Sequence, residues 1–397
     1  MRTLIFLLTV LISSTMLGQT VYTTYIVTGN ESWDMTTHPN GIIIEQQLII
    51  EEGALLIIND LTLKFDPYSV WDGNVEIKGG GKLAAYNTIF KNKTNYINWN
   101  GFRVRGNSAY PYYDLTQQGL LQLENCQIQG AEFSILVNNG DGLYPFSGTG
   151  GGTIIIKNSE FKDCDRSIHV AESPLGYSQI TDCSFEITQD FPLYQWMYPN
   201  SVPVAINLEY SKSRIIRCDF STDLPLPLSG SPAIGIDGGN VVVSESNITR
   251  YPAGIFATSF EPTDILEIKD NNMHVQNYGI HLMNQTNSVV IRNDIELWEP
   301  ARGIYITEST NYTVEENYIH ADEWIQNGIR GIEIQYNGLY NDEIYNNTIE
   351  TMWYGIRAAD NLVDEDHGLV IKCNKFINNN FDIYVSNNGI GYGIFKY

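Results

Sequence analysis

One six-residue phrase keeps returning along this chain of 397 residues: an apolar residue, two variable residues, then Asn, Cys or Ser, one variable residue and an apolar residue. Its fourth position is held in turn by Asn59, Asn87, Cys126, Ser159, Cys183, Cys218, Ser246, Asn271, Asn293, Asn317, Asn347 and Asn374. A second phrase follows it from Asn87 onward: a small residue, Ile or Phe, an outward residue and an apolar residue. It reads SIHV at Ser167, GIHL at Gly279, GIYI at Gly303, GIEI at Gly331 and GIRA at Gly355. From Cys126 to Asn374 the first phrase advances 248 residues in nine steps. A period of about 28 residues belongs to solenoids and arrays.

Such a unit is too small to bury its own apolar face, so units must stack. The short runs alternate apolar and polar residues, Asn, Gly and Asp stand at the corners, and no helical periodicity is present. This predicts an all-β chain, a single-stranded right-handed parallel β-helix solenoid of about twelve coils. The Asn, Cys and Ser column then marks an inward turn, where an amide bonds to the amide of the next coil and satisfies buried polar groups. Cys183 and Cys218 fall on adjacent coils, ~4.8 Å apart. That spacing leaves two readings open, a disulfide or a pair of inert buried thiols.

Met1 to Gly18 has one arginine, an apolar run and then small residues, the pattern of a secretory signal. The expected organisation is a signal peptide over 1–18, a lead-in and cap over 19–41, and the solenoid over 42–397. No second apolar stretch would span a membrane, which points to a secreted or cell-surface protein. The formal charge of −23, with a pI near 4.5, argues against nucleic acid as a partner. It also disfavours strongly anionic polymers unless a local basic patch or calcium intervenes.

The interval from the first-phrase residue to the strand isoleucine is nine residues at six places. It grows to 23 between Cys183 and Ile206, 16 between Cys218 and Ile234, 11 between Asn293 and Ile304, and 15 between Asn317 and Ile332. Equal phase sends all four insertions out along one edge, and long loops on a rigid scaffold carry function. The first insertion holds Phe191, Tyr194, Trp196 and Tyr198. Trp298, Trp324 and Trp353 recur at similar phase and would form an aromatic row along that edge, or else seal the core at a wide corner.

The outward residue of the second phrase gives a neighbouring column, which ends His281, Tyr305, Glu333, Arg357, Tyr384. These types can hydrogen-bond glycan hydroxyls and carboxylates; the plainer reading is a solvated face with Glu333 and Arg357 paired. Asp364, Glu365 and Asp366 sit in a corner where Ca²⁺ could bind, although their spacing fits a solvated turn better. The six histidines lack metal-ligand spacing, so no cofactor is required.

Asn40 to Phe90, NWNGFRVRG from Asn98 and QQGLLQLENCQIQGAEFSIL from Gln117 resemble the opening coils of secreted Bacteroidetes right-handed parallel β-helix repeat proteins. The rest, Gly151 to Tyr397, is similar to the pectate-lyase-like repeat shared by polysaccharide lyases, inverting glycosidases, epimerases and adhesins. The resemblance implies a scaffold and not an activity. The Asp pairs with Gly-His-Gly of polygalacturonase-like hydrolases are absent. The chain reaches Tyr397 while still in a repeat, and an open sheet edge there leaves two expectations, a further domain or a capping partner at the last coil.

Three functions fit. The first is an exported surface that binds a polysaccharide or cell-surface glycan, with Trp298, Trp324 and Trp353 as stacking platforms and His281, Tyr305, Glu333 and Arg357 as polar contacts. The second is a polysaccharide lyase, in which Arg357, with Arg330 or Arg302, supplies base and carboxylate neutraliser and Glu333 holds calcium. The third is a structural spacer or adhesin without glycan binding.

Overall fold

The computed structural model describes residues 19–68, 73–94, 98–107, 109–139, 151–172, 176–188, 201–224, 229–259, 261–298, 301–321, 328–336, 341–359 and 368–386. Within them 35 strands join into one sheet whose pairings are all parallel, wound as a β-helix with three faces. We call the faces sheets A, B and C in the order the chain visits them. One coil is Leu120–Glu124 in sheet A, Gln127–Gln129 in sheet B and Phe133–Val137 in sheet C. Each strand pairs with its counterpart one coil on, as Leu121 does with Ile154, Ile128 with Phe161 and Ile135 with Ile168. Within 19–41, Thr20–Val27 pairs with Ile42–Ile50 and Asn30–Trp33 with Leu55–Asn59 in the same parallel sense.

Alternation puts one side chain of every pair into a continuous core of Ile, Val, Leu and Phe. Aromatic residues stack along it, as in Phe161, Phe185 and Phe220, whose successive ring centroids are 4.8 Å apart. This is the spacing of the coils, so the rings are stacked by the backbone repeat itself.

The inward turn between sheets A and B carries the expected ladder. From Asn271 through Asn293, Asn317 and Asn347 to Asn374, the backbone N–H and the side-chain amide of each rung donate to the Oδ1 of the next at 2.9–3.1 Å. Upstream, hydroxyls do the same work: Cys126 N–H donates to Ser159 Oγ and Cys218 N–H to Ser246 Oγ, both at 3.1 Å. Cys183 and Cys218 are free, buried thiols that donate to Thr181 O at 3.2 Å and Ile216 O at 3.5 Å, so of the two readings the thiol pair holds.

Two assignments to this column need correction. Strand register places Leu61 and Thr88 on the rungs, so Asn59 lies two residues early and Asn87 one. Asn87 belongs to a different column: Asp60, Asn87, Asn125, Asn158, Asp182, Arg217, Glu245, Asp270, Arg292, Glu316, Asn346 and Cys373 all adopt left-handed φ between 47° and 57°. A non-glycine residue there costs about 1–2 kcal/mol. Inter-coil hydrogen bonds made by the same residues, such as Asn87 N–H to Glu124 O at 3.0 Å, help offset it.

Candidate functional site on sheet C

The connections from sheet B to sheet C, which carry all four insertions, flank one side of sheet C. The connections from sheet C to sheet A flank the other. The floor between them is the outer face of sheet C, and the second phrase supplies its centre line. Register confirms that line as an unbroken column: Arg103, Leu136, His169, Asn207, Gly235, Phe256, His281, Tyr305, Glu333, Arg357 and Tyr384 each face the next.

The glycine that opens the phrase from Gly254 to Gly355 is required by the next coil. A Cβ on Gly331 would stand 2.5 Å from both the Gly355 carbonyl oxygen and Ile349 Cγ2. With no side chain possible there, the residue before the glycine shares the outer face with the residue two after it. This defines a second column that the phrase, read from its small residue, misses: Tyr278, Arg302, Arg330, Tyr354 and Phe381. A third column contributes Thr307 and Gln335.

The two columns meet at Glu333. It is fully buried, and its carboxylate accepts from Arg302 Nε, Arg330 Nη1 and Arg357 Nη1. Gln335 Nε2 adds a fourth hydrogen bond at 2.7 Å, and Tyr305 OH donates to Gln335 Oε1 at 3.2 Å. Burial raises the carboxyl pKa, but the hydrogen bonds from Arg302 and Arg330 outweigh it and hold the group below its ordinary value. The arginines are 22–37% exposed, so three cationic groups held by one anion present positive charge to the surface.

Aromatic rings line this cationic patch on both sides. Arg302 lies over the Tyr305 ring at 4.7 Å, and Tyr305 stacks on His281 at 4.5 Å. Burial, then the Arg302 charge, push His281 down to about 4, so its imidazole is neutral at pH 7. Beyond Arg357, Tyr354 stacks on Phe381 at 5.4 Å and lies 4.9 Å from Tyr384.

His281, Tyr305, Glu333, Arg357, Arg330 and Arg302 thus share one surface. The pairing of Glu333 with Arg357 that the sequence suggested is present, together with two further arginines. Of the three tryptophans expected to form a row along the insertion edge, two are among the described residues. Trp353 reaches the shared surface through Tyr354 and Phe381, at 6.4 and 6.1 Å. Trp298 instead packs on His274 of sheet B at 4.3 Å. Trp324, the aromatic insertion residues Phe191 to Tyr198 and the acidic corner Asp364 to Asp366 lie outside the described residues, as does the segment 1–18 expected to be a signal peptide. Among the described residues no cluster of three or more His, Cys, Asp or Glu is placed to hold a metal, and no helix is long and apolar enough to cross a membrane.

Upstream, the same centre line has a different chemistry. His169 is fully buried and its Nδ1 accepts from Asn207 Nδ2 at 3.1 Å. Asn207 also donates to Glu209 Oε1 at 3.3 Å, and Glu209 faces Asp237 one coil on. Burial, then Asp237, raise the Glu209 pKa; burial, then Asp264, raise that of Asp237.

A sequence profile described as a right handed beta helix region matches residues 200–361 and 259–395, in agreement with the observed fold. Among solved structures, the periplasmic alginate epimerase AlgG is similar at 12% identity over 92% of this chain and 85% of that one, with a TM-score of 0.37. The Streptococcus pneumoniae surface protein and adhesin PfbA is 12% identical over 90% and 92%, with a TM-score of 0.40. The tailspike of E. coli bacteriophage HK620, solved with a pentasaccharide, is 12% identical over 83% and 60%, with a TM-score of 0.48. No curated protein matches. These likenesses concern the β-helix and leave the chemistry of sheet C to be read from its own residues.

Proposed function

We propose that the C-terminal half of sheet C binds an acidic polysaccharide, and that the chain is an exported glycan-binding or adhesive protein. The observation that carries this reading is the cluster of Arg302, Arg330 and Arg357 around buried Glu333. In a chain of net charge −23, three arginines are gathered at one surface and fixed in direction by a single carboxylate. Guanidinium groups pair bidentately with carboxylates, and aromatic faces offer apolar contact to a sugar ring. The patch is the local basic exception that the overall charge otherwise disfavours. Tyr278, Tyr305, Tyr354 and Phe381 extend it along the helix axis as stacking surfaces, with Trp353 beside them.

A titration of the secreted protein with carboxylated oligosaccharides (oligogalacturonate, oligoalginate) and neutral maltotetraose tests this. Arg357→Gln is expected to weaken binding of the carboxylated ligand about tenfold, the equivalent of 1.4 kcal/mol. If neither ligand binds, the face is a spacer surface and the reading fails.

A second reading, β-elimination, has one observation in its favour: neutral His281 lies against Tyr305 and the arginine cluster, a base-type group beside a carboxylate neutraliser. Arg357, ion-paired to Glu333, suits the neutraliser role better than that of base. Turnover would release an unsaturated product that absorbs in the ultraviolet, and a flat absorbance trace with bound polymer rejects it.

A further inference from the structure

A cavity lies on a different face of the coil, away from the arginine cluster of sheet C. The connection between sheets C and A after Gly101–Val104 does not turn tightly. It runs from Arg105 to Gly119 as an arch over the outer face of sheet A. Buried Gln118 pins it: its Nε2 donates to Asn107 O at 2.8 Å and Tyr110 O at 2.7 Å, while its Oε1 accepts from Gly152 N–H at 2.7 Å. Thr153 Oγ1 donates to Tyr112 O at 3.2 Å, which fastens the tip two coils from where the arch began.

The arch delivers Tyr112 against Tyr177, ring centroids 5.1 Å apart and inclined at 33°. The two rings wall one end of an open cavity of about 300 Å³. Its floor is the outer face of three consecutive sheet A strands, with Lys212, Arg214, Asn240 and Ile265 among the lining residues. Lys212 and Arg214 are two positions apart on one strand, so both emerge on the outer face ~6.6 Å from each other. Neither is hydrogen-bonded or ion-paired to any group among the described residues. Elsewhere the exposed cations of this acidic chain often take a carboxylate one coil away, as Arg217 does with Asp182, Arg292 with Asp270 and Lys372 with Glu343. Here the nearest candidate, Glu267, is held by Lys269 at 2.7 Å. Asn240 Oδ1 accepts from Ile265 N–H at 3.1 Å, which leaves its amide nitrogen as a donor.

We infer that this cavity holds one anionic sugar unit, its acid group on Lys212 and Arg214 and its ring face on Tyr112 and Tyr177. The combination selects that class. A simple anion would make no use of the tyrosine wall, and a neutral sugar would leave two cations without a counter-charge. The protein would then carry two acidic-glycan contacts on two faces of one rigid rod, able to bridge two chains or two segments of one chain.

The test is calorimetric titration of the full chain in an Arg330→Gln/Arg357→Gln background, which removes the sheet C cations, with tetragalacturonate, a sulfated carrageenan tetrasaccharide, maltotetraose and inorganic sulfate. Binding of either acidic tetrasaccharide at one site per chain, reduced at least tenfold by Tyr177→Ala or by Lys212→Met/Arg214→Met, is expected, and which of the two binds assigns the acid as carboxylate or sulfate. No binding in this background, binding of maltotetraose alone, or equal binding of inorganic sulfate overturns the inference. If the background variant does not fold, the unmodified chain serves: two sites falling to one in Lys212→Met/Arg214→Met supports the cavity, and an unchanged count overturns it. Loss of binding in Arg357→Gln alone, with the cavity site retained, would leave this inference standing apart from the sheet C reading.

Discussion

The two halves of the outer face of sheet C share a backbone and differ in how they treat a carboxylate. Upstream, Glu209 and Asp237 face one another across adjacent coils, with Asn207 and neutral His169 as neighbours, and their pKa values rise. Downstream, Glu333 is fully buried yet over-neutralised by three guanidinium groups, and its pKa falls. The same outer face therefore carries opposite electrostatic signs, with Glu209 and Asp237 in the column of Gln335 and Glu333 on the centre line. Three positions before the centre line stand Val204 and Pro232 in the upstream coils and Arg302 and Arg330 in the downstream ones.

The largest test of this contrast is removal of the central anion. Glu333→Ala leaves Arg302, Arg330 and Arg357 facing one another without a counterion, and is expected to destabilise the fold by about 3–5 kcal/mol in denaturant titrations. A loss below about 1 kcal/mol would mean that the cluster is held by solvent rather than by Glu333.

A third carboxylate sharpens the comparison. Asp342 is 1% exposed, neither carboxylate oxygen has a hydrogen-bond partner among the described residues, and burial pushes its pKa up to about 7. A folded-state pKa raised above the unfolded value means that ionisation costs stability. Stability is therefore expected to fall as pH rises from about 4 through 7, by up to about 4 kcal/mol. Asp342→Asn should abolish that slope in thermal melts, matching the parent at acid pH and exceeding it at pH 8.

The two halves should also answer acid in opposite directions. Glu209 and Asp237, with raised values, cost stability above the unfolded carboxyl pKa and are relieved as pH falls; Glu333, with a lowered value, supplies stability above that pKa and loses it as pH falls through its folded value. Glu209→Gln at pH 7 is expected to stabilise by roughly 0.2–1 kcal/mol, the penalty of like charges facing across a sheet. Glu333→Gln should destabilise at the same pH, and equal signs from the two variants would break the contrast.

The smallest effect concerns His281. Because its pKa is pushed down to about 4, it holds no charge between pH 6 and 8. Glycan affinity over that range should show no inflection that His281→Gln removes.

The solenoid and the centre line were legible in the sequence because each depends on a period that neighbouring coils enforce. The slip at Asn59 and Asn87 has a local cause: Asn suits both the inward rung and the left-handed residue before it, so residue type alone could not separate the columns. Leu61 and Thr88 occupy the rungs without looking like rungs. Arg302 and Arg330 were visible as neighbours of Glu333 but not as a column, since only the close approach behind Gly303 and Gly331 shows that the preceding residue shares the outer face. Equal phase in sequence does not fix which way an irregular corner turns, and with Trp324 outside the described residues the tryptophan row stays an expectation. The cavity on sheet A left no periodic trace, because the arch that makes it spans coils instead of repeating with them.

The amide ladder has a bearing on how such a molecule changes over time. Every rung from Asn271 to Asn347 offers the same donors to the coil ahead and the same acceptor to the coil behind. A whole coil between them can be lost or copied and the cut ends will still recognise each other. Length can then vary in whole steps of ~4.8 Å, and with it the length of every column on the outer faces. The interior would not register the change.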